Sequence, residues 1–319
     1  MIISASRRTD IPAFYSDWFF NRLKAGFALN RNPVNARQIS RIRLMPDTVD
    51  CIVFWTKNAG PMMHRHWDEM ISMEIPFYFQ YTVNPYGRVL EPNLPPQEEI
   101  VKSFIRLSAE FGRTRMVWRY DPVIFSGKYT EEYHCREFEL LAEKVAPYTD
   151  ECIISFLDEY RKTQQNMPQN SYIIAGRAQQ ISLGRKLAAI AGKHGLTLSA
   201  CGEPDYLDEI GIRRARCIDP DRVERICGRP FIGCRQDPLK RNVRGTFIQC
   251  GCAPCVEIGE NHTCLHGCKY CYATQNVKTA RKNHARHDPR SPLLTGGMED
   301  LTDADRITDR KMVSVLAPE

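Results

Sequence analysis

Short apolar runs alternate with longer amphipathic stretches over the first part of the chain. Six apolar, β-rich runs predict strands at residues 2–5, 51–55, 76–82, 115–119, 152–156 and 196–200. Apolar residues at helical spacing predict helices between them, including residues 13–25, 97–111, 131–145 and 182–194. This alternation is typical of a parallel sheet covered by helices. Right-handed crossovers then give either an open doubly wound sheet or a full or partial barrel.

The pattern changes after about residue 205, where the periodicity fades and glycine, cysteine and arginine become more frequent. An irregular stretch of this kind inside a folded protein is usually functional or organised by a ligand. We therefore divide the chain into a strand–helix region at residues 1–205 and a cysteine-rich C-terminal extension at residues 206–319. Within the extension, the basic segment at residues 278–290 is a candidate phosphate contact or an ordinary solvated surface.

Polar residues follow almost every predicted strand. The carboxyl ends of parallel strands are where such folds build their sites, so these residues are candidates for holding a cofactor or substrate. A single residue at such a position can equally be a loop residue or a helix cap, and Asp10 before Ile11 and Pro12 fits a cap. The candidates are Arg7, Arg8, Asp10, Lys57, Asn58, Arg119, Asp121 and Glu203.

Composition and charge restrict the class of protein. Of the 319 residues, 43% are hydrophobic and 26% charged, which supports a packed core and excludes global disorder. No apolar run approaches the ~18 residues that a membrane-spanning helix needs. Arginine at position 7 comes too early for a secretory signal, so we expect a soluble cytoplasmic protein. The net charge of +6 permits a polyanionic partner without requiring one.

The cysteines are concentrated in one part of the chain. Ten of the 13 lie between Cys201 and Cys271. Because an odd number of cysteines in a reducing compartment argues against a disulfide framework, this crowding favours metal ligation.

Three cysteines stand at the spacing Cys264-x3-Cys268-x2-Cys271, with Gly267 in the first gap. Thiolates so close together can bind three corners of a cubane iron–sulfur cluster, and glycine lets the backbone turn tightly around it. The fourth iron would then stay open to a small molecule. A structural zinc ion, with His262 or His266 nearby, is the alternative, although zinc sites usually use two separated C-x2-C pairs.

This motif resembles the signature of the radical S-adenosylmethionine (radical SAM) superfamily, in which an aromatic residue precedes the last cysteine as Tyr270 does here. The string around it also looks like the spore photoproduct lyase branch of DNA repair enzymes. Most of the chain resembles an uncharacterised bacterial family, catalogued as a domain of unknown function, through the segments at residues 6–10, 54–58 and 119–122. Unlike the superfamily, this chain carries its cysteine loop after the sixth predicted strand rather than the first.

The superfamily resemblance implies a partial (β/α)6 TIM-like barrel, with the extension carrying the cluster to the barrel mouth. It further implies a 4Fe-4S cluster, S-adenosylmethionine (SAM), and an electron donor of the flavodoxin or ferredoxin type. The expected reaction is reductive cleavage of SAM to a 5′-deoxyadenosyl radical that abstracts hydrogen from a substrate. On this view Tyr270 lies near the adenine, and it binds the cofactor with Arg8, Asn58 and Glu203. The expected catalytic residues are Arg7, Asp10, Lys57, Arg119 and Asp121.

A second metal site is also expected. A strand end, a loop and a C-x-C pair can converge on one point, which suggests Cys201, Cys217, Cys250 and Cys252 as ligands of another iron–sulfur cluster or of zinc. Alternatively, several of these cysteines are small hydrophobic residues buried in the core.

The sequence leaves the substrate open. The photoproduct-lyase likeness and the positive charge point to a nucleic acid, whereas a small metabolite or a peptide fits nearly as well. Two other classes of protein remain: a non-enzymatic iron–sulfur or zinc module for redox sensing or partner binding, and a metal-independent hydrolase or lyase. The latter would use Asp121, Asp158 and Glu203 as acid–base groups. The oligomeric state is not predicted.

Overall fold

Strands and helices alternate along the chain as the apolar pattern predicts. The computed structural model describes residues 1–168, 171–235 and 250–318. The strands in these residues are β1 (Ile2–Ala5), β2 (Phe27–Arg31), β3 (Gln38–Arg43), β4 (Cys51–Thr56), β5 (Phe77–Thr82), β6 (Met116–Val123), β7 (Glu151–Phe156), β8 (Thr197–Ala200), β9 (Arg213–Arg214), β10 (Cys255–Glu257) and β11 (Arg306–Asp309).

The α-helices of the described residues lie mostly between these strands. They are α1 (Ile11–Phe14), α2 (Ser16–Ala25), α3 (Gly60–Arg65), α4 (Trp67–Ile71), α5 (Gly87–Leu90), α6 (Gln97–Phe111), α7 (Glu131–Val145), α8 (Arg161–Asn166), α9 (Arg177–Lys193), α10 (Pro220–Cys227) and α11 (Val277–His284). Short 3₁₀ helices occupy Arg113–Arg115, Ala146–Tyr148, Asp205–Ile210 and Met298–Asp300. No helix in the described part of the chain has the length and apolar character that crossing a bilayer requires.

Eight parallel strands of the described residues form one sheet, in the order β10-β1-β4-β5-β6-β7-β8-β9. The six predicted strands are all present, and each lies beside the preceding one, so the predicted α/β fold with a parallel sheet is confirmed. No pairing within residues 1–168, 171–235 and 250–318 closes this sheet into a barrel. The extension joins the sheet through β10, where Cys255 stands opposite Ile2 of β1.

The two faces of the sheet are covered by different parts of the chain. One face, which includes Ile3 and Phe54, packs against apolar residues of α2, α6, α7 and α9. The other face, which includes Val53 and Tyr78, packs against Ile218 and other apolar residues of the extension. Both faces are therefore buried, as the continuous apolar runs of the strands require. The division between residues 1–205 and 206–319 stays a prediction.

The predicted helices 97–111 and 131–145 coincide with α6 and α7. The predicted helix 13–25 is interrupted at Tyr15, whose φ of −135° leaves the helical region, so two helices form there. Thr130 caps α7, because its side-chain oxygen accepts a hydrogen bond from the backbone N–H of Tyr133.

A buried histidine joins α7 to β6 and the loop that follows. His134 is fully buried, and its Nε2 lies 2.9 Å from the carbonyl oxygen of Ile124. Its Nδ1 lies 2.8 Å from the hydroxyl of Tyr120. Since a carbonyl only accepts, Nε2 carries the hydrogen and Nδ1 accepts from the tyrosine, which satisfies the neutral ring at both nitrogens.

A second sheet was not predicted. Among the described residues it has three strands, in the order β11-β3-β2, with β2 antiparallel and β11 parallel to β3. In β3 the buried residues Ile39 and Ile42 stand three positions apart, so the strand lacks the alternation that marks a half-buried strand.

Candidate functional site

A cavity of about 700 Å³ lies at the carboxyl ends of the parallel strands, which is a size typical of small-molecule sites. Its wall includes residues at or after the ends of β1, β4, β6, β7 and β8, together with part of the cysteine loop. The polar strand ends therefore share one cavity. The predicted site residues that line it are Arg7, Arg8, Asp10, Lys57, Arg119, Asp121, Tyr270, Cys201, Cys217, Cys250, Cys252, Cys264, Cys268 and Cys271.

Two predicted cofactor-binding residues do not line this cavity. The side-chain oxygen of Asn58 accepts a hydrogen bond from the backbone N–H of Gly60 at 3.1 Å, at the start of α3. One carboxylate oxygen of Glu203 accepts from the backbone N–H of Phe156 at 2.7 Å. Both side chains therefore serve loop and strand-end backbone, which is the alternative role of polar residues at such positions. Asp121 and Asp158 line the cavity without Glu203, so the proposed acid–base trio is not assembled there.

The three cysteines of the C-terminal motif lie on this cavity, and none forms a disulfide. Burial is the main cause that raises the pKa of Cys264 and Cys268, and the neighbouring sulfur of Cys271 raises both further. The backbone N–H of Thr274 donates to Cys271 Sγ at 3.3 Å. Burial thus favours the neutral thiol at Cys264 and Cys268, whereas Cys271 accepts a hydrogen bond of the kind that stabilises anionic sulfur.

The turn between the first two cysteines requires glycine. Gly267 has a φ of +69°, and a Cβ built there would lie 2.7 Å from Cγ2 of Val277. A side chain at this position would meet both backbone strain and a steric clash. The predicted tight turn at Gly267 is therefore present.

Asp10 connects the first strand end to the cysteine loop. Its Oδ1 accepts from the backbone N–H of Ala13 at 3.0 Å and from the hydroxyl of Thr56 at 2.8 Å. Its Oδ2 accepts from the backbone N–H of Lys57 at 2.7 Å and lies 2.8 Å from Nε2 of His266. These partners fill the acceptor positions of a carboxylate. Asp10 is thus a helix cap and a link to the cysteine loop, and the catalytic role predicted for it stays a prediction.

His266 is a residue of the site that sequence reasoning named only as a neighbour of the cysteines. It lies in the cysteine loop between Cys264 and Cys268, lines the cavity and is 2% exposed. Its ring packs on Phe14 with centroids 4.7 Å apart. Nε2 faces Asp10, whereas Nδ1 is buried with no hydrogen-bond partner among the described residues. The sequence signal that could have identified His266 as a site residue is its position between Cys264 and Cys268.

Lys57 forms a buried ion pair with Glu91, a residue that the sequence did not single out. The Lys57 Nζ lies 2.9 Å from Oε1 of Glu91, and the hydroxyl of Tyr270 donates to the same oxygen. Burial alone would lower the pKa of Lys57, but Glu91 and Cys268 raise it above its usual range. The pair places a positive charge beside the cysteine loop. Tyr270 lines the cavity as predicted, but its hydroxyl is already used by Glu91.

Two arginines flank an indole ring in the cavity wall. The guanidinium carbons of Arg7 and Arg119 lie 5.7 Å and 5.3 Å from the ring centroid of Trp55. Arg119 pairs with Asp121 at 2.6 Å, and Arg7 pairs with Glu257 at 3.3 Å. Burial alone would lower the pKa of Arg119, but the charge of Asp121 raises it. Both predicted catalytic arginines therefore have carboxylate partners.

Arg8 also lines the cavity, and it donates to the carbonyl oxygen of Gly259 at 3.2 Å. In the described ion pairs, no carboxylate lies against its guanidinium. Arg8 therefore has donor capacity that a carboxylate or phosphate group of a ligand can use.

The second group of cysteines is only partly assembled. The sulfurs of Cys201 and Cys217 are 3.3 Å apart, and Cys217 also hydrogen-bonds to the side chain of Cys252. Arg119 Nη1 lies 3.1 Å from Cys217 Sγ. In the part of the chain that the structure describes, no group of three or more His, Cys, Asp or Glu residues is placed to hold a metal ion. The second metal site stays a prediction.

The fold and cavity define an α/β protein with a cysteine-lined cavity at the carboxyl ends of a parallel sheet. The family described as Domain of unknown function (DUF1848) matches residues 2–273, and the protein belongs to this family. The match includes the whole cysteine motif. No curated protein matches the sequence. The likeness to an uncharacterised family is thereby confirmed, whereas membership of the radical SAM superfamily stays a prediction.

Proposed function

We propose that this protein is a radical SAM enzyme in which Cys264, Cys268 and Cys271 bind a 4Fe-4S cluster. The observation that carries the proposal is that all three thiols line one cavity, where the backbone N–H of Thr274 donates to Cys271. The turn at Gly267 supports it, because it lets the loop close tightly. In this proposal the parallel sheet is a partial barrel, and the reaction takes place in the cavity at the carboxyl ends of its strands.

The choice of a cluster over zinc rests on the spacing of the motif. Zinc sites usually use two separated C-x2-C pairs, whereas Cys264, Cys268 and Cys271 stand in one short loop. Among the described residues, no group of three or more His, Cys, Asp or Glu side chains is placed to hold a metal ion, so the loop would have to draw its thiols together on loading.

When bound, a reduced cluster of this type supplies the electron that cleaves SAM to methionine and a 5′-deoxyadenosyl radical. In this chain, the Lys57–Glu91 ion pair lies beside Cys268, where the Lys57 cation lowers the pKa of the thiol and the Glu91 carboxylate raises it. Arg8 has donors for the carboxylate of the methionyl group.

The proposal is tested by anaerobic reconstitution with iron and sulfide, reduction, and incubation with SAM. We expect about four irons per chain, if no second cluster binds, and release of 5′-deoxyadenosine and methionine. Cys268→Ala should lose both the iron and the products. The matched control is Cys135→Ala, because Cys135 lies on α7 away from the cavity wall. A colourless, iron-free wild type, or equal product from Cys268→Ala, contradicts the proposal.

For the substrate, we propose a nucleic acid. An aromatic pair lines the cavity, with the rings of Tyr160 and Tyr272 5.7 Å apart and Tyr272 49% exposed. Helix α11 begins shortly after Tyr272 and carries exposed Lys278, Arg281 and Lys282. Stacking on exposed rings combined with nearby cations is how proteins hold single strands. Elsewhere in the predicted basic segment, Arg286 and Arg290 are paired with acidic residues.

Binding of an oligonucleotide tests this substrate. We expect the affinity to fall steeply with salt, and Tyr272→Ala to weaken binding by roughly tenfold or more for one lost stacking contact. Tyr148→Ala serves as a control, since Tyr148 is an aromatic residue that does not line the cavity. Undetectable binding or a flat salt response favours a small metabolite.

A further inference from the structure

Two cysteines of the cavity wall lie close enough to form a covalent bond with little movement. The sulfurs of Cys201 and Cys217 are 3.3 Å apart, and neither cysteine is in a disulfide. Both residues line the cavity, so a small molecule that enters the cavity can reach the pair. An S–S bond is about 2.05 Å long, and the two sulfurs therefore need to approach each other by little more than about 1 Å.

The fold holds these two residues opposite each other. Cys201 directly follows β8, and Cys217 lies three residues past β9, the strand that pairs with β8. The backbone N–H of Ala215 donates to the carbonyl oxygen of Ala200 at 2.8 Å, which continues the pairing of the two strands toward the cysteines. The carbonyl oxygen of Cys217 accepts from the hydroxyl of Tyr78 at 2.8 Å. Hydrogen bonds to the sheet therefore fix the backbone on both sides of the sulfur pair.

The distance between the sulfurs favours a disulfide over the second metal site that the sequence predicts for the same cysteines. Two thiolates on one tetrahedral metal ion, with metal–sulfur bonds of about 2.3 Å, stand about 3.8 Å apart. The sulfurs of Cys201 and Cys217 are closer than this. Cys252 also hydrogen-bonds to Cys217 through its side chain, so a third sulfur lies beside the pair and has to be distinguished in a test.

We propose that Cys201 and Cys217 are a redox-active dithiol that closes to a disulfide by exchange with a low-molecular-weight disulfide such as oxidised glutathione. One thiol gives its proton to solvent and attacks the small disulfide, which forms a mixed disulfide and releases one small thiolate. The second thiol then attacks the protein sulfur of the mixed disulfide, which forms the internal S–S bond and releases the second thiolate. The dithiol is oxidised by two electrons, and the small disulfide is reduced to two thiols.

The internal disulfide makes the cavity wall sensitive to redox conditions. Arg119 Nη1 lies 3.1 Å from Cys217 Sγ, and the same guanidinium pairs with Asp121 at 2.6 Å. Oxidation thus replaces the thiol beside this ion pair by a disulfide sulfur that is linked to the end of β8. Disulfides that form under generally reducing conditions are usually transient, and they serve redox sensing or catalysis. The proposal requires no cluster in the cavity and goes beyond the proposed function.

The test measures the cross-link as a function of the glutathione redox ratio. The iron-loaded full chain is equilibrated without oxygen in buffers of increasing ratio of oxidised to reduced glutathione, and free thiols are then alkylated. Cys217→Ser removes one sulfur of the pair. Cys135→Ser is the matched control, because Cys135 lies on α7 and does not line the cavity. Bound iron and zinc are measured for every variant.

Tryptic peptides identify which sulfurs are joined. Cys201 falls in the peptide 194–213 and Cys217 in the peptide 217–222, whereas Cys252 falls in the peptide 245–269. We expect the first two peptides to be linked in the wild type and in Cys135→Ser, and not in Cys217→Ser. Because one glutathione disulfide yields two thiols, the ratio of linked to free peptides should rise about tenfold for each tenfold rise in [GSSG]/[GSH]².

Three outcomes overturn the proposal. The first is an oxidised wild type in which the peptides 194–213 and 217–222 are not linked. The second is a link from the peptide 217–222 to the peptide 245–269 in its place. The third is a loss of bound metal in both Cys201→Ser and Cys217→Ser, since the pair then belongs to a second metal site. A chain that forms the expected link but does not cleave SAM supports the dithiol and contradicts only the proposed function.

Discussion

Replacing Asp10 by asparagine tests whether its carboxylate connects the cysteine loop to the sheet. Each oxygen of Asp10 serves one backbone N–H and one side chain. In Asp10→Asn the new NH₂ group faces one of these pairs. The hydroxyl of Thr56 can rotate, and the ring of His266 can change tautomer, but a backbone N–H has no such freedom. One buried N–H therefore loses its acceptor in either orientation of the amide.

An orphaned buried donor costs about 1–3 kcal/mol, and the remaining bonds weaken because the acceptor is no longer charged. We expect the free energy of unfolding to fall by about 3 kcal/mol, a large share of the total for a typical protein. With a slope of about 3 kcal/mol per molar urea, the midpoint of denaturation moves down by about 1 M.

Asp47→Asn is the matched control, because the Asp47 side chain is 64% exposed and pairs with Arg43 at the surface. Exposed pairs of this kind contribute less than about 1 kcal/mol. Urea denaturation followed by circular dichroism measures both variants. The reasoning is refuted if Asp10→Asn unfolds at the same urea concentration as Asp47→Asn. The loop has other anchors, such as the hydroxyl of Tyr15 on the carbonyl of Thr263 at 2.8 Å, so the fold itself should persist.

Three further predictions address single features. Lys57→Met removes the cation that pairs with buried Glu91 and should lower the free energy of unfolding by about 3–5 kcal/mol. Adding Glu91→Gln should recover more than half of that loss. Equal stability of the single and double variants would show that the loss does not come from an unpaired Glu91 charge. Burial lowers the pKa of His134 to about 4, so the unfolded chain takes up a proton at this histidine before the folded chain does, and stability falls as pH falls from about 6.5 to 4. Wild type should lose about 3 kcal/mol over that range, and His134→Phe, measured by the same pH series of denaturation curves, should show a flatter profile. Gly267→Ala should lower the iron bound after reconstitution, because of its φ of +69° and the clash with Val277, while Gly127→Ala, where a Cβ meets open space, should not.

The main sheet was predictable because its evidence is local. Strands such as β4 and β5 are continuous apolar runs, and a run of that length between turn residues is a strand signal in itself. β10 is three residues long and lies among cysteines, and only its pairing with β1 makes it a strand. β3 was missed because its buried residues do not alternate. Pairing between distant segments leaves no trace in a local pattern.

The site was predictable in position but less so in the role of each residue. The rule that polar strand ends gather at one edge placed Lys57 and Arg119 on the cavity. The same rule also selected Asn58, which hydrogen-bonds to backbone instead. Glu91 was not predicted, and His266 was named only as a neighbour of the cysteines. The role of each depends on a partner far along the chain: Lys57 is 34 positions from Glu91, and Asp10 is 256 positions from His266. Spacing within a motif cannot report such partners.

The position of β10 beside β1 has a consequence for biosynthesis. Ser4 and Glu257, which form a hydrogen bond across this pair, are separated by 253 positions. At ribosomal rates of about 5–20 residues per second, β1 leaves the tunnel on the order of 13–50 s before β10 does. During that interval one edge of β1 has no neighbour, and unpaired edges invite association with other chains. The edge of β1 that later pairs with Cys255–Glu257 is therefore a place where the nascent protein can associate with other chains until that segment emerges.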